Sequence, residues 1–148
     1  MTKLDLVRKT SAEYKTLQAI ISGVSEILEA PPTGIDWHRK LARDFEHLRA
    51  HLIKLFALEE SEGFLHAVES VRPDQAARAQ RFRSEHAALM HRCSELMNSV
   101  SQIAPTAADK GTELRGLIRQ LVDDLRKHES AEGELLQTVF NQDINSTD

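Results

Sequence analysis

The sequence contains few of the residues on which sheet proteins depend. Only 5% of the 148 residues are aromatic, and the chain holds six glycines and four prolines. Low glycine, proline and aromatic content, combined with plentiful Leu, Ala, Glu and Arg, is typical of an all-α protein. We therefore expect helices and no sheet.

Cysteine, charge blocks and long apolar runs are also scarce. Cys93 is the single cysteine, so no disulfide can form within the chain. The first ten residues lack the apolar core of a signal peptide, and no run of about 18 apolar residues could span a bilayer. The net charge is −4 and neither sign forms a long block, which gives no reason to expect nucleic acid or a membrane as a partner. The sequence thus predicts a soluble cytoplasmic protein.

Three short segments rich in helix-breaking residues interrupt the helical pattern. They are APPTG at 30–34, VRPD at 71–74 and APTAADKG at 104–111. These segments predict helices over roughly 3–29, 35–69, 74–101 and 111–140. Because short connections make successive helices antiparallel neighbours, we expect one domain, 1–148, folded as an up-down-up-down four-helix bundle.

Each predicted helix carries polar residues where its apolar stripe calls for hydrophobic ones. In the last helix the stripe passes through Leu121 and Leu125 and then continues with His128 and Glu132. The matching positions of the first three helices hold Tyr14, Glu59 and His86. In an antiparallel bundle all five residues lie at a depth of roughly 12–18 Å from the same end, because a helix rises 1.5 Å per residue.

A buried layer of this composition needs compensation. Burying two carboxylates and two imidazoles together would cost several kcal/mol, whereas a bound cation would satisfy all of them. Inward-facing Glu and His side chains from several helices are also the means by which bundles hold iron or manganese. The layer is therefore a candidate metal site, with Tyr14, Glu59, His86, His128 and Glu132 as its ligands.

At these residues the sequence resembles the hemerythrin-like family of helical bundles, which carry a His-His-Glu cation-binding domain. The segments EYKTL at 13–17, LFALEESEGFL at 55–65, EHAAL at 85–89 and HESAEGELL at 128–136 correspond, in order, to the family motifs EHxxL, HFxxEExxxF, EHxxL and HxxxE. The resemblance spans nearly the whole chain. It implies a non-haem iron centre with one or two iron ions. Such a centre would be used to bind oxygen, to sense oxygen or nitric oxide, or to handle iron or peroxide.

Two positions depart from the family's ligand pattern. Tyr14 stands in the place of the first-helix histidine, and Leu55 stands in the place of the second-helix histidine, four residues before Glu59. Tyrosinate can bind ferric iron but leucine cannot, so we do not expect a complete seven-ligand centre of the oxygen-carrier kind. Glu62 and Glu129, each one turn from a core glutamate, are weaker candidates for ligation.

Two kinds of function are open at this point. One is a metal-binding protein with a coordination position available to O2, NO or peroxide; the other is a metal-free bundle that acts as an interaction or signalling module. Leu55 favours the second, and the joint presence of two histidines and two glutamates at one depth favours the first, which we expect. HESAE lacks the second histidine of a zincin helix, and the chain has no phosphate loop or serine elbow, so these classes of enzyme are not expected. Whether the protein is an enzyme of another kind stays open, and a non-enzyme is the expectation.

Overall fold

The computed structural model describes residues 3–61, 63–104 and 107–141, and within these ranges the chain forms helices and no strand. The α-helices are α1 (Lys3–Glu29), α2 (Ile35–Ser61), α3 (Phe64–Val71), α4 (Ala76–Gln102) and α5 (Ala108–Leu136). A 3₁₀ turn, Pro73–Gln75, precedes α4, and a π-helical turn, Gln137–Asn141, follows α5. The prediction of an all-α protein with four long helices is confirmed. None of the described helices is long and apolar enough to cross a membrane.

The long helices pack through apolar stripes that recur every three or four residues. Helix α1 contacts α2 and α5, α2 also contacts α4, and α4 contacts α5. Fully buried side chains from all four long helices belong to the larger apolar core, among them Ile21, Leu48, Cys93, Ile118 and Leu121. Each long helix therefore contacts two others, as in a bundle.

Two side chains near the start of α2 set its position against its neighbours. The indole N–H of Trp37 donates a hydrogen bond to the carbonyl of Ile27 on α1, at 2.9 Å. The Nε2–H of His38 donates to the carbonyl of Val100 on α4, at 2.7 Å. These bonds help to fix the register of α2 against α1 and α4, and with it the depth of residues further along α2.

The second helix is shorter than predicted. The predicted span of 35–69 is wrong, because α2 ends at Ser61 and a separate helix, α3, begins at Phe64. A Cβ atom on Gly63 would lie 2.5 Å from the Cα of Glu59 and 2.7 Å from the carbonyl oxygen of Leu58. Only glycine allows the chain to pass this close to the end of α2. The starts of the last two long helices also move, from 74 to 76 and from 111 to 108.

The break allows α3 to build a second apolar cluster. All of its members are buried: Phe64, Leu65, Val68, Ala79, Phe82, Leu135, Leu136 and Val139. These residues come from α3 and from the sections of α4 and α5 beside it, together with the π-helical turn. The long helices therefore contribute to two separate apolar clusters, and polar residues lie between the two clusters.

Candidate metal centre

The polar layer predicted from the sequence lies between the two apolar clusters. On α4, His86 falls between Phe82 of the second cluster and Leu89 of the larger core. On α5, His128 and Glu132 fall between Leu125 of the core and Leu135 of the second cluster. The buried polar residues of the described ranges are Glu59, His86, His128, Glu129 and Glu132, each at most 7% exposed. Apolar packing on both sides thus removes this layer from water.

His86, His128 and Glu132 converge on one point. One ligating atom from each lies within 4.8 Å of the other two. Nε2 of His86 lies 3.1 Å from Oε2 of Glu132, in hydrogen-bond geometry. Nε2 of His128 lies 2.9 Å from Oε1 of the same carboxylate but without hydrogen-bond geometry, and it has no other partner among the described residues. Two imidazole nitrogens and one carboxylate are therefore arranged as ligands of one cation could be.

The outer nitrogen of each imidazole faces a further carboxylate. Nδ1 of His128 lies 3.3 Å from Oε2 of Glu85, and Nδ1 of His86 lies 3.8 Å from Oε1 of Glu60. A carboxylate beside Nδ1 favours a proton on that atom, which leaves the lone pair of Nε2 for a metal. These two glutamates were not among the predicted site residues. Each of these contacts joins two different helices, so no spacing in the sequence indicates it.

Two aromatic rings hold the imidazoles in place. Phe56 stacks on His86 with ring centroids 3.9 Å apart and planes inclined by 6°. Phe82 meets His128 edge to face, with centroids 5.5 Å apart and planes at 90°. Because each imidazole packs against a phenyl ring, it cannot rotate without losing that contact. The orientation of both Nε2 atoms is thus set by packing as well as by charge.

Glu59 is the buried group with the least compensation. It is 2% exposed, and neither of its carboxylate oxygens has a hydrogen-bond partner among the described residues. Burial, and next the charge of Glu132, raise the pKa of Glu59 well above its usual range. Burial therefore favours the neutral form of this carboxyl group. Because an unpartnered buried carboxyl group is costly, its presence beside the cluster fits a missing positive charge.

Helix α1 brings Tyr14 to the same layer. Its hydroxyl oxygen is buried and has no hydrogen-bond partner within the described ranges. Burial raises the pKa of Tyr14 above its usual value, and the charges of Glu132, Glu59 and Glu129 raise it further. The phenol is therefore protonated unless a cation lies close to its oxygen. The structure places Tyr14 near both core glutamates, and its role as a ligand stays a prediction.

The remaining positions are less directly involved. Leu55 is 2% exposed and belongs to the larger apolar core. Glu129 is 7% exposed, and its Oε1 has no partner among the described residues, but it does not belong to the group formed by His86, His128 and Glu132. Burial, followed by the charge of Glu132, raises the pKa of Glu129 to about 7. Glu62, the other weaker candidate, lies outside the described residues.

Comparisons with known proteins give no family assignment. No family model matches the chain, and neither a curated protein nor a solved structure matches it. The resemblance to hemerythrin-like proteins therefore depends on four short motifs. What the structure adds is the convergence of His86, His128 and Glu132 within a buried layer.

Proposed function

We propose that the protein is a hemerythrin-like, up-down-up-down four-helix bundle that binds non-haem iron. The proposed ligands are His86, His128 and Glu132, with Glu59 and Tyr14 completing the site. The observation that carries the proposal is the buried group of two imidazoles and one carboxylate, whose ligating atoms lie within 4.8 Å of one another. Nitrogen and carboxylate donors of this kind suit first-row transition metals such as iron and manganese.

The two core glutamates differ in how strongly they hold a proton. Burial opposes ionisation of Glu132, but the contacts with His128 and His86 outweigh it and lower the pKa of this carboxyl group. Glu59 has no such contact, and its pKa is raised. A cation would favour the ionised form of Glu59 and give its two unpartnered oxygens a positive partner. Metal binding is therefore expected to release a proton.

The chain's own residues define what such a site can do. Bound iron would supply a coordination position for O2, NO or peroxide. Phe56 and Phe82 keep water from the imidazole faces, and the second apolar cluster covers the layer from the side of α3. Leucine at 55 and tyrosine at 14 provide fewer imidazoles than an oxygen carrier uses, and an anionic phenolate favours ferric over ferrous iron. We therefore propose sensing, or the handling of peroxide or iron, and not reversible oxygen carriage.

One observation favours a second function. His86 and Glu132 satisfy each other directly through a hydrogen bond of 3.1 Å. Together with the apolar environment of Leu55, it supports a metal-free bundle that acts as an interaction or signalling module. The two functions differ in the number of metal ions that each chain retains, because the interaction module retains none.

The experiment is metal analysis of untagged protein expressed with added iron. We expect about one to two metal ions per chain, the number that five to seven ligands can hold. The double variant His86→Ala, His128→Ala should retain none and keep its helical circular dichroism. The matched control is His66→Ala, His91→Ala, which removes two exposed histidines, one from α3 and one from α4, and should keep the metal. Substoichiometric metal under every loading condition, or unchanged retention in the first variant, would contradict the proposal.

A further inference from the structure

Helices α1 and α5 enclose a cleft beside the polar layer. Its volume is about 680 Å³, which lies within the range of small-molecule sites. The lining residues are nearly all polar: Ser11, Tyr14, Lys15, Gln18, Ile21, Ser22, Arg126, Glu129 and Ser130. Ile21 is the single aliphatic member of this set. The exposed lining surface is polar and apolar in about equal parts, so the cleft suits a molecule with polar ends and an apolar middle.

The two helices contribute one cation each. Lys15 comes from α1 and Arg126 from α5, and both are exposed. Among the described residues neither forms an ion pair, and the closest contact of the guanidinium is a long one, 3.5 Å from the hydroxyl of Ser25. Burial raises the pKa of Glu129 in the same cleft, and the charge of Arg126 acts on that carboxyl group in the opposite direction. Because neither cation is held in an ion pair within the described ranges, both are available to an anion, and a guanidinium can bind a carboxylate with two parallel hydrogen bonds.

The inner part of the cleft has a different character. Glu129 is only 7% exposed and lines the cleft, and its Oε1 has no partner within the described ranges. The buried hydroxyl of Tyr14 is also unpartnered there. Whether or not it is protonated, a carboxyl group offers an oxygen that accepts a hydrogen bond. The inner wall therefore lacks a donor for Oε1 of Glu129, while the two cations of the outer part are in no ion pair with the described residues.

We propose that this cleft binds a small organic carboxylate that carries a hydrogen-bond donor at its other end. The carboxylate would contact Lys15 and Arg126, and the donor, a hydroxyl or amino group, would reach Oε1 of Glu129. Such a ligand supplies both of the partners that the cleft lacks. Its proposed contacts are with Lys15, Arg126 and Glu129, which are not among the ligands proposed for iron, so its binding can be tested in metal-free protein.

The probe is 4-hydroxybutyrate, added to chelator-treated, ¹⁵N-labelled protein and followed by amide NMR shifts. We expect saturable shifts confined to residues 11–22 and 126–130, with a Kd of about 1 mM, as suits a ligand of this size. Butyrate lacks the donor and 1,4-butanediol lacks the anion. Each should therefore bind about tenfold more weakly. Because the protein is metal-free throughout, a failure here is distinguishable from a failure of the iron proposal.

Paired variants test the role of the cleft cations. Arg126→Gln removes an exposed charge from the cleft and should weaken 4-hydroxybutyrate binding about tenfold. Lys54→Gln removes an exposed charge from α2, outside the cleft, and should leave the affinity unchanged. Absence of saturable shifts up to about 50 mM, equal affinity for the three probes, or equal behaviour of the two variants would overturn the proposal.

Discussion

Nε2 of His86 lies 3.1 Å from Oε2 of Glu132, and the side chain of each residue is 2% exposed. Glu132 also approaches His128, at 2.9 Å, so one carboxylate faces imidazoles from two helices. Burial alone would lower the pKa of His128, but the contacts with Glu132 and Glu85 outweigh it and raise that pKa. Glu132 is therefore the residue on which the electrostatics of the layer depend.

The variant Glu132→Gln removes the negative charge of this side chain and keeps its size, so it tests the effect of the charge alone. In metal-free protein we expect the pKa of His128 to fall, because the carboxylate that stabilises the imidazolium is gone. Metal affinity should fall by at least about 100-fold, since a ligand is lost and both imidazoles lose their common partner. Histidine-detected NMR titration and competition with a chelator measure the two effects. Glu134→Gln, an exposed neighbour on α5, is the control, and equal behaviour of the two variants would exclude this role for Glu132.

The turn at Gly63 gives a second prediction. Gly63→Ala places a Cβ atom 2.5 Å from the Cα of Glu59, so the end of α2 must move. We expect a loss of about 1–3 kcal/mol in the free energy of unfolding, as for other overpacked sites. Metal should bind about tenfold more weakly, because a displacement of Glu59 changes the geometry of the layer. Urea unfolding and chelator competition provide the measurements.

Gly116→Ala is the matched control for that substitution. Apart from the surrounding backbone of α5 itself, no atom of the described residues lies within 4 Å of a Cβ built at this position. Replacing a helical glycine by alanine should therefore stabilise the protein by up to about 1 kcal/mol and leave metal binding unchanged. If both alanine variants were equally stable, the turn at Gly63 would not be as tight as the contacts indicate.

The difference between predictable and unpredictable features has a physical cause. The depth of His86 and His128 could be predicted because helical rise is constant, and residues at equal distances from matching helix ends lie close together. The contact between Glu85 and His128 joins α4 to α5, so no local pattern specifies it. The turn at Gly63 depends likewise on a close approach to the end of α2. Helical periodicity therefore predicts which residues lie at the same depth. Contacts between different helices depend on how the helices pack, which the periodicity does not specify.

Cys93 should be an unreactive thiol in the folded protein. It is fully buried within the larger apolar core, and burial raises the pKa of the thiol to about 11. At pH 8 only about one molecule in a thousand would then carry the reactive thiolate. We expect reaction with a disulfide reagent to be slow at pH 8 and to become fast when urea unfolds the protein. Fast reaction of the folded protein would show that this part of the core opens readily.

Histidine at both positions 14 and 55 should lower the stability of the metal-free protein and raise its affinity for iron. Leu55 is 2% exposed in an apolar core, so Leu55→His combined with Tyr14→His should destabilise the metal-free protein by about 2–4 kcal/mol. Iron should bind the double variant more tightly, and its addition should raise the melting temperature more than in the parent protein. Differential scanning calorimetry with and without metal measures both effects. No gain in affinity would mean that the core around residue 55 cannot present an imidazole to the site.

Tyr14→Phe distinguishes a ligand from a packing residue. The hydroxyl is buried without a partner among the described residues, so in metal-free protein its removal should leave stability unchanged or raise it by up to about 1 kcal/mol. If the phenolate binds ferric iron, the oxidised protein should show a visible charge-transfer band, which the variant should lose while the His and Glu ligands still retain iron. Visible spectra of the two ferric proteins at equal iron content provide the comparison. Identical spectra would show that Tyr14 is not a ligand and would leave His86, His128 and the glutamates as the ligands. The buried phenol would then serve only to pack α1 against the polar layer.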